Sequence, residues 1–316
     1  MIECVALSGG VGGAKLALGL SKAMDPASLL IVANTGDDFD HLGLRICPDI
    51  DTVSYTLGDL ANPELGWGRR DESWSFMETL KTLGGEAWFN LGDRDLALHV
   101  ERTRRLQAGN TLSVVTTDMA ARFGIASTIV PMSDDDVRTI VDTPGGPLAF
   151  QHYFVRERCE PKVTGFRFAG ASDARPSPAF RGAFEGRDPA MVIICPSNPF
   201  ISIDPILAVS GVRRMLEASR APVIAISPIV GGKAIKGPTA KMMDELGMPA
   251  TALEVAKHYT GLIDGFVLDE ADREVAGAVR DLGLGVLVTN TVMKSLDDRV
   301  SLAREVIAFS QQVSEK

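Results

Sequence analysis

Cysteine is scarce in this chain, with four residues among 316, and the four lie far apart at Cys4, Cys47, Cys159 and Cys195. No two of them have the Cys-x-x-Cys spacing that a thiolate zinc site uses. Cysteines scattered in this way do not indicate a disulfide framework either. We therefore expect reduced and mostly buried thiols.

Long apolar runs are also missing. The longest, such as residues 191–195 and 223–226, fall far short of the roughly 20 residues that span a bilayer. The N-terminus lacks the basic region and cleavable apolar stretch of a secretory signal. These absences predict a protein without a membrane segment, located in the cytoplasm.

The chain has fewer basic than acidic residues, with 32 lysines and arginines against 41 aspartates and glutamates, so its formal charge is −9. A nucleic-acid binder needs a basic face to displace counterions from phosphates, so this composition argues against that class. Small-molecule substrates are the expected partners. An anionic substrate would then require local positive charge from a few basic side chains, a helix N-terminus or a bound cation.

Strand and helix patterns alternate at both ends of the chain. Apolar residues 4–7 and 29–33 flank a stretch of helical spacing at 14–24, which predicts a parallel β-α-β unit. Further apolar strands are predicted at 191–195, 223–226, 266–268 and 285–288, separated by helical patterns. The alternation predicts an α/β fold with a doubly wound, mostly parallel, Rossmann-like sheet.

The middle of the chain has a different pattern. Residues 61–185 are predicted to form an inserted, mainly helical subdomain, and residues 1–60 and 186–316 the nucleotide-binding core. Within the insertion we expect β-rich pieces around Phe150, Tyr153, Phe154 and Val155. The insertion could also provide a dimer face, so a homodimer stays open.

A glycine-rich turn follows the first predicted strand, with the sequence Ser8-Gly9-Gly10-Val11-Gly12-Gly13-Ala14-Lys15. Glycines at this place let backbone N–H groups approach an anion at the start of a helix. The turn matches neither a dinucleotide fingerprint nor a P-loop. It predicts a phosphate or nucleotide site, and a tight turn without a ligand is the alternative.

An acidic loop follows the second predicted strand. It contains Asp37, Asp38, Asp40, His41, Asp49 and Asp51, at the sheet edge where open α/β sheets bind ligands. Carboxylates this close repel one another, and Mg²⁺ relieves that repulsion by binding one or two of them together with substrate phosphates. The alternative is a solvated loop in which some acids cap helices, with Asp51 as an N-cap.

Three other polar segments are candidates for the same site. In residues 91–95, Asp95 suits a helix cap, whereas Arg94 is a phosphate or carboxylate ligand or the partner of Asp93. His99 follows Asp95 on the same helix face. The turns at 196–200 and 227–238 each follow a strand, and they contribute the polar groups of Ser197, Asn198, Lys233 and Lys236.

Six segments, taken in this order, resemble the 2-phospho-L-lactate transferases of coenzyme F-420 biosynthesis nearly end to end. They are residues 8–13, 34–38, 48–52, 91–95, 196–199 and 227–232. The resemblance implies transfer of a phospholactyl, phosphoenolpyruvyl or phosphoglyceryl group from a guanosine diphosphate-linked donor to the ribityl hydroxyl of the deazaflavin Fo. It also implies release of GMP and a requirement for Mg²⁺.

The resemblance assigns roles to individual residues. The donor would be held by Ser8, Gly9, Gly10, Gly12, Asn34, Ser197, Asn198, Lys233 and Lys236. The cation would be bound by Asp37, Asp38 and Asp51, with Asp37, Asp51 and Arg94 acting in catalysis. The acceptor would lie near Asp49, Asn90, Asp93 and Arg94, and one of Trp67, Trp74 and Trp88 could cover its flat ring.

Two rival functions remain. A non-catalytic regulatory protein of the same fold would bind a nucleotide sugar, but it would have no reason to keep both the 37–51 and the 91–95 segments. A nicotinamide-dependent oxidoreductase is disfavoured because the third glycine of its fingerprint and the ribose-binding acid are missing.

Overall fold

The computed structural model describes residues 1–63, 68–235 and 237–314. Its strands are β1 (Cys4–Ser8), β2 (Leu29–Ala33), β3 (Phe39–His41), β4 (Leu44–Ile46), β5 (Thr128–Pro131), β6 (Arg138–Thr143), β7 (Gly146–Ala149), β8 (Gly165–Ala169), β9 (Met191–Ile194), β10 (Val223–Ile226), β11 (Ile229–Val230), β12 (Lys233–Ala234), β13 (Gly265–Asp269) and β14 (Gly285–Thr289).

The helices alternate with these strands for most of the chain. They are α1 (Gly10–Ala23), α2 (Pro48–Leu57), α3 (Ser75–Thr82), α4 (Asp93–Gln107), α5 (Leu112–Arg122), α6 (Pro178–Gly182), α7 (Asp204–Ala208), α8 (Val212–Ala218), α9 (Thr239–Glu245), α10 (Ala252–His258), α11 (Ala276–Arg280) and α12 (Leu296–Ser314). Short 3₁₀ turns lie at Pro26–Ser28 and Glu270–Val275, and wide π-helical turns at His152–Arg156 and Pro199–Ile203.

Seven parallel strands form the central sheet in the order β14-β13-β10-β9-β1-β2-β5. The chain moves from β1 toward β5 and then returns to the other side of β1 with β9, so the order reverses between β1 and β9. Side chains of β1 alternate between two cores, Val5 and Leu7 on one face and Cys4 and Ala6 on the other. The predicted α/β fold and its buried strands are confirmed.

Helix α1 packs closely on α12 beneath the sheet. A Cβ added to Gly19 would collide with the carbonyl oxygen of Arg299, so glycine is required for this approach. Helix α1 also begins earlier than predicted, at Gly10 rather than at residue 14. The glycine turn is therefore the first turn of the helix, with Gly9 extended just before it.

The region proposed as an insertion contributes to the sheet as well. Strand β5 pairs in parallel with β2 at the sheet edge, and β6, β7 and β8 form a separate antiparallel sheet. The boundaries between the nucleotide-binding core and the insertion, at residues 60/61 and 185/186, remain predictions. The β-rich prediction around Phe150, Tyr153, Phe154 and Val155 is wrong at these residues. Phe150 is helical and directly follows β7, and the other three lie in the π-helical turn that buries Tyr153 in the main core.

No helix in the described parts of the chain combines the length and the apolar character needed to cross a membrane. The four cysteines are free, and Cys4, Cys47 and Cys195 are buried as expected. The homodimer and the cytoplasmic location remain predictions.

Candidate active site

The glycine turn meets the turn after β9 at the point where the strand order reverses. The amide of Gly9 donates to the Ser197 hydroxyl oxygen at 3.2 Å. A Cβ on Gly12 would collide with the carbonyl oxygen of Pro196, so the two turns are in direct contact. Open α/β sheets bind ligands outside such a reversal, at the carboxyl ends of the strands.

Asp49 joins the acidic segment to the glycine turn. Its carboxylate accepts from the Gly10 amide at 2.7 Å and from Asn34 Nδ2 at 2.9 Å. The two sequence motifs therefore share one site. The Gly10 amide is already engaged by a protein carboxylate, whereas the amides of Val11 and Gly12 have no intrahelical acceptor by their position in the first turn.

Asp37 and Asp38 are buried beside this junction, with 6% and 2% of their surface exposed. Asp37 Oδ1 and both oxygens of Asp38 have no hydrogen-bond partner among the described residues. Burial and the charge of Asp49 hold the pKa of Asp37 well above its usual range. Burial also raises the pKa of Asp38 to about 7, against the Cys47 side chain and the positive charges of Arg138, Arg102 and Arg45. Burial raises the pKa of Asp49 to about 6.

These orphaned carboxylate oxygens fit a divalent cation. A buried polar atom without a hydrogen-bond partner is costly, and the cost is greater when the atom is charged. Mg²⁺ takes carboxylate oxygens and keeps coordination positions for water and phosphate. The pair Asp37 and Asp38 therefore has the chemistry of the predicted metal site.

Asp51 lies in a different environment. Both of its oxygens accept from the guanidinium of Arg102, through Nη2 and, at 3.1 Å, through Nη1. Arg102 is itself 2% exposed, so this is a buried ion pair between α2 and α4. Helix α2 begins at Pro48, so the alternative in which Asp51 caps it is wrong.

The ion pair extends into a network on α4. Ligand atoms of Asp51, Asp95 and His99 lie within 4.8 Å of one another, and over the described ranges this is the one His/Cys/Asp/Glu group that could hold a metal ion. Asp95 accepts from the hydroxyl of Tyr55, and Arg102 already neutralises Asp51. The structure does not bring Asp37, Asp38 and Asp51 into one such ligand group.

Reciprocal hydrogen bonds from two carboxylates join the two ends of the segment from residue 72 to residue 95. Glu72 accepts from the amides of Arg94 at 2.7 Å and Asp95 at 2.9 Å, which caps α4. Asp93 in turn accepts from the amides at the start of α3, including that of Phe76 at 3.1 Å. The prediction that Asp95 caps α4 is therefore wrong, because Asp95 stands inside the first turn and a distant glutamate fills the capping position.

The remaining predicted residues lie in several places. Asn198 Oδ1 accepts from the amide of Phe200 at 3.0 Å and caps the π-helical turn after β9. Ser8 Oγ is buried and has no partner within the described chain. Three side chains, Asn90, Arg94 and Lys233, are exposed, while Lys236 and Trp67 fall outside the described residues.

Sequence reasoning missed Arg102 and Glu72. Asp95, His99 and Arg102 follow a spacing of four and three residues on α4, which places them on one helix face. That spacing was a usable signal for Arg102. No sequence pattern indicated Glu72, because the amides that it caps lie 22 and 23 residues further along the chain.

A cleft of about 330 Å³ opens beside Asp38. It is lined on one side by Arg45 and Arg138, both of which form ion pairs with Asp136, at 3.1 and 2.9 Å. Thr35 lines it as well. Of the acidic pair, Asp38 lines this cleft and Asp37 does not.

Comparisons with known proteins agree over nearly the full length of the chain. A family model described as 2-phospho-L-lactate transferase CofD matches residues 4–293. A phosphoenolpyruvate transferase of Streptomyces griseus subsp. griseus is 39% identical over 318 residues, or 99% of this chain and 99% of the relative. A 2-phospho-L-lactate transferase of Methanosarcina mazei is 36% identical over 303 residues, or 96% of this chain and 99% of the relative.

A solved structure from Bacillus halodurans, a member of the UPF0052 family, superposes with a TM-score of 0.62. It covers 97% of this chain and 98% of its own, at 14% sequence identity. At that identity the likeness concerns the fold alone.

Proposed function

Because this chain belongs to the 2-phospho-L-lactate transferase CofD family, a transferase family, we propose that it moves a phosphocarboxylate group from a guanosine diphosphate-linked donor to the terminal ribityl hydroxyl of the deazaflavin Fo. GMP is the second product. The Streptomyces relative, named a phosphoenolpyruvate transferase, is more similar than the Methanosarcina 2-phospho-L-lactate transferase. The proposed donor is therefore the guanylylated phosphoenolpyruvate.

The hydrogen bond from the Gly10 amide to Asp49 carries this proposal. It joins the motif suited to a diphosphate to the motif suited to a cation, 39 residues apart in sequence. A nucleotide-binding regulatory protein needs the first motif only. A group transfer between two substrates needs both in one place.

The donor diphosphate is proposed to lie at the start of α1, near the amides of Val11 and Gly12. A helix N-terminus favours anions through its unsatisfied N–H groups and its dipole. Ser8, whose buried hydroxyl has no partner in the described chain, and Ser197 supply further polar contacts. Lys233 and Lys236 are the proposed cationic partners of the phosphates.

Asp37 and Asp38 are the proposed holders of Mg²⁺. When bound, the cation would neutralise charge on the phosphate oxygens and on the departing GMP. Asp51 fits this role less well, because its charge is already compensated by Arg102. We assign Asp51 to orienting the acceptor side of the site through that ion pair, and Arg94 to contact with the acceptor.

The proposed reaction is a direct in-line displacement. The Fo hydroxyl oxygen attacks the phosphorus that carries the phosphocarboxylate, a new P–O bond forms, and the bond to the GMP oxygen breaks. Asp37 accepts the hydroxyl proton. Positioning and charge supply most of the acceleration, so no nucleophilic side chain is required.

The test is incubation with Fo, Mg²⁺ and, separately, the guanylylated forms of phosphoenolpyruvate, 2-phospholactate and phosphoglycerate. Product masses identify both the activity and the donor. Asp37→Asn should abolish the product, whereas Asp40→Asn, whose side chain is 64% exposed, should retain it. Absence of any Fo adduct with all three donors would refute the function.

Asp51→Asn tests the acceptor side separately. Because the substitution leaves Arg102 buried without its counter-charge, turnover should fall while the dependence on Mg²⁺ stays as in the wild type. Unchanged kinetics at every Mg²⁺ concentration would remove Asp51 from the site.

A further inference from the structure

The π-helical turn at Pro199–Ile203 packs directly against the glycine turn. A Cβ added to Gly9 would lie only 2.5 Å from the Cβ of Ser202, so the two backbones are as close as a glycine permits. The carbonyl oxygen of Ile201 accepts from Asn34 Nδ2 at 3.2 Å. The position of this turn therefore sets how Gly9 and Asn34 lie relative to each other.

The turn is wide because two amides share one acceptor. The amides of Ser202 and Ile203 both donate to the carbonyl oxygen of Asn198, at 3.0 and 3.2 Å. Turns of the π-helical kind are rare and occur frequently at functional sites. These local hydrogen bonds set the shape of the turn, whereas its seat on the glycine turn depends on the elements that pack around it.

His258, the last residue of α10, contacts both ends of this turn. Its Nε2 lies 2.9 and 3.0 Å from the two carboxylate oxygens of Asp204, the residue that directly follows the turn. Its imidazole also meets the ring of Phe200, near the start of the turn, edge to face with the ring centroids 5.2 Å apart. One side chain from a separate helix thus bridges the start and the end of the turn.

The two contacts of His258 hold the turn in complementary ways. An ionised carboxylate only accepts hydrogen bonds, so the bond to Asp204 requires a proton on Nε2. The side chains of His258 and Asp204 are 23% and 22% exposed, and a hydrogen bond to a charged group is stronger where water is largely excluded. Phe200 is stacked in addition on Phe166 of β8, with centroids 5.8 Å apart and an interplanar angle of 12°. The turn is therefore anchored to α10 and to the second sheet.

We propose that His258 and Asp204 form a positioning pair for the donor, which keeps the π-helical turn seated on the glycine turn and so preserves the site for the guanosine diphosphate moiety. This inference rests on the proposed function, in which the donor lies at the glycine turn. Neither residue touches the substrates or the reacting atoms in this proposal. The pair acts on donor affinity and leaves the acceptor side of the site as it is.

Calorimetric titration with GDP, together with steady-state kinetics, tests the pair. His258→Ala and Asp204→Ala should each raise the Kd for GDP and the KM for the donor by about tenfold, because a displacement of about 1 Å in a positioning element can cost up to about a hundredfold. The Kd for Fo should stay as in the wild type. His258→Gln, whose side-chain amide can still donate to Asp204, should recover most of the affinity for GDP.

Two further variants separate positioning from a merely structural role. The double variant His258→Ala/Asp204→Ala should bind GDP no more weakly than the weaker single variant, since the losses of two residues that act as one unit do not add. Lys257→Ala is the matched control, because it removes an ion pair with Glu254 from the preceding position of α10 and should leave every constant unchanged. Should an alanine variant not fold, Asp204→Asn keeps an acceptor for His258 and should raise the Kd for GDP by about threefold.

Wild-type Kd values for GDP in the folded variants of both His258 and Asp204 would overturn the positioning pair and leave the proposed function standing. Equal losses of affinity for GDP and Fo, or strictly additive losses in the double variant, would overturn the pair as well. A wild-type protein that neither binds GDP nor converts Fo would overturn the proposed function together with it.

Discussion

Replacing Asp38 with asparagine should stabilise the metal-free protein at neutral and alkaline pH. Asp38 is 2% exposed and neither of its oxygens has a partner within the described residues. Burial raises its pKa from 3.8 to about 7. At about 1.4 kcal/mol per pH unit, this difference corresponds to a destabilisation of up to about 4 kcal/mol above pH 7.

The sign follows from proton binding in the two states. Below the unfolded pKa both states keep the proton, and the carboxyl has no effect on stability. Between pH 4 and 7 the unfolded chain loses the proton while the folded protein retains it, so this carboxyl makes the free energy of unfolding fall as pH rises. Above about pH 7 both states are ionised, and the destabilisation is constant.

Urea unfolding at pH 5, 6, 7 and 8, with a chelator present, measures the effect. The stability advantage of Asp38→Asn over the wild type should grow across this range and level off near pH 8. Asp40→Asn, which removes an exposed carboxylate two residues away, is the control and should show no such growth. A constant difference between Asp38→Asn and the wild type from pH 5 to 8 would refute the reasoning.

Three further predictions concern the frame of the site. Arg102→Leu leaves Asp51 as a buried, uncompensated charge and should cost about 3–5 kcal/mol in the free energy of unfolding, measured in urea; a loss below 1 kcal/mol would mean that water reaches the pair. Gly19→Ala should lower the free energy of unfolding by about 1–3 kcal/mol through overpacking, seen as a lower melting temperature, while Gly277→Ala, where an added Cβ meets nothing within 4 Å, should be neutral or slightly stabilising. Glu72→Ala removes the acceptor of two helix amides and should lower the free energy of unfolding by about 1 kcal/mol, with faster amide hydrogen exchange at the start of α4. Unchanged exchange there would contradict the capping of α4 by Glu72.

Local patterns in the sequence were sufficient for six of the seven strands of the central sheet, and β5 was missed. The strands β1, β2, β9, β10, β13 and β14 were predicted to within one residue at most ends, because buried parallel strands are short apolar runs that can be recognised without their neighbours. The meeting of the glycine turn and the acidic segment also followed from sequence. Both lie at the carboxyl ends of adjacent strands, which share one edge of a parallel sheet.

Side-chain pairing could not be obtained in this way. The sequence left Asp51 as a metal ligand or a helix cap, and the tertiary structure instead placed Arg102 of α4, 51 residues away, on both of its oxygens. The same holds for Glu72, which caps α4 from outside, and for Asp49, which occupies the Gly10 amide that the motif alone assigned to a ligand. The sequence by itself determined which segments converge, since that depends on strand order and periodicity. Only the tertiary structure decided which atoms within them pair, because such contacts depend on distances between residues that are remote along the chain.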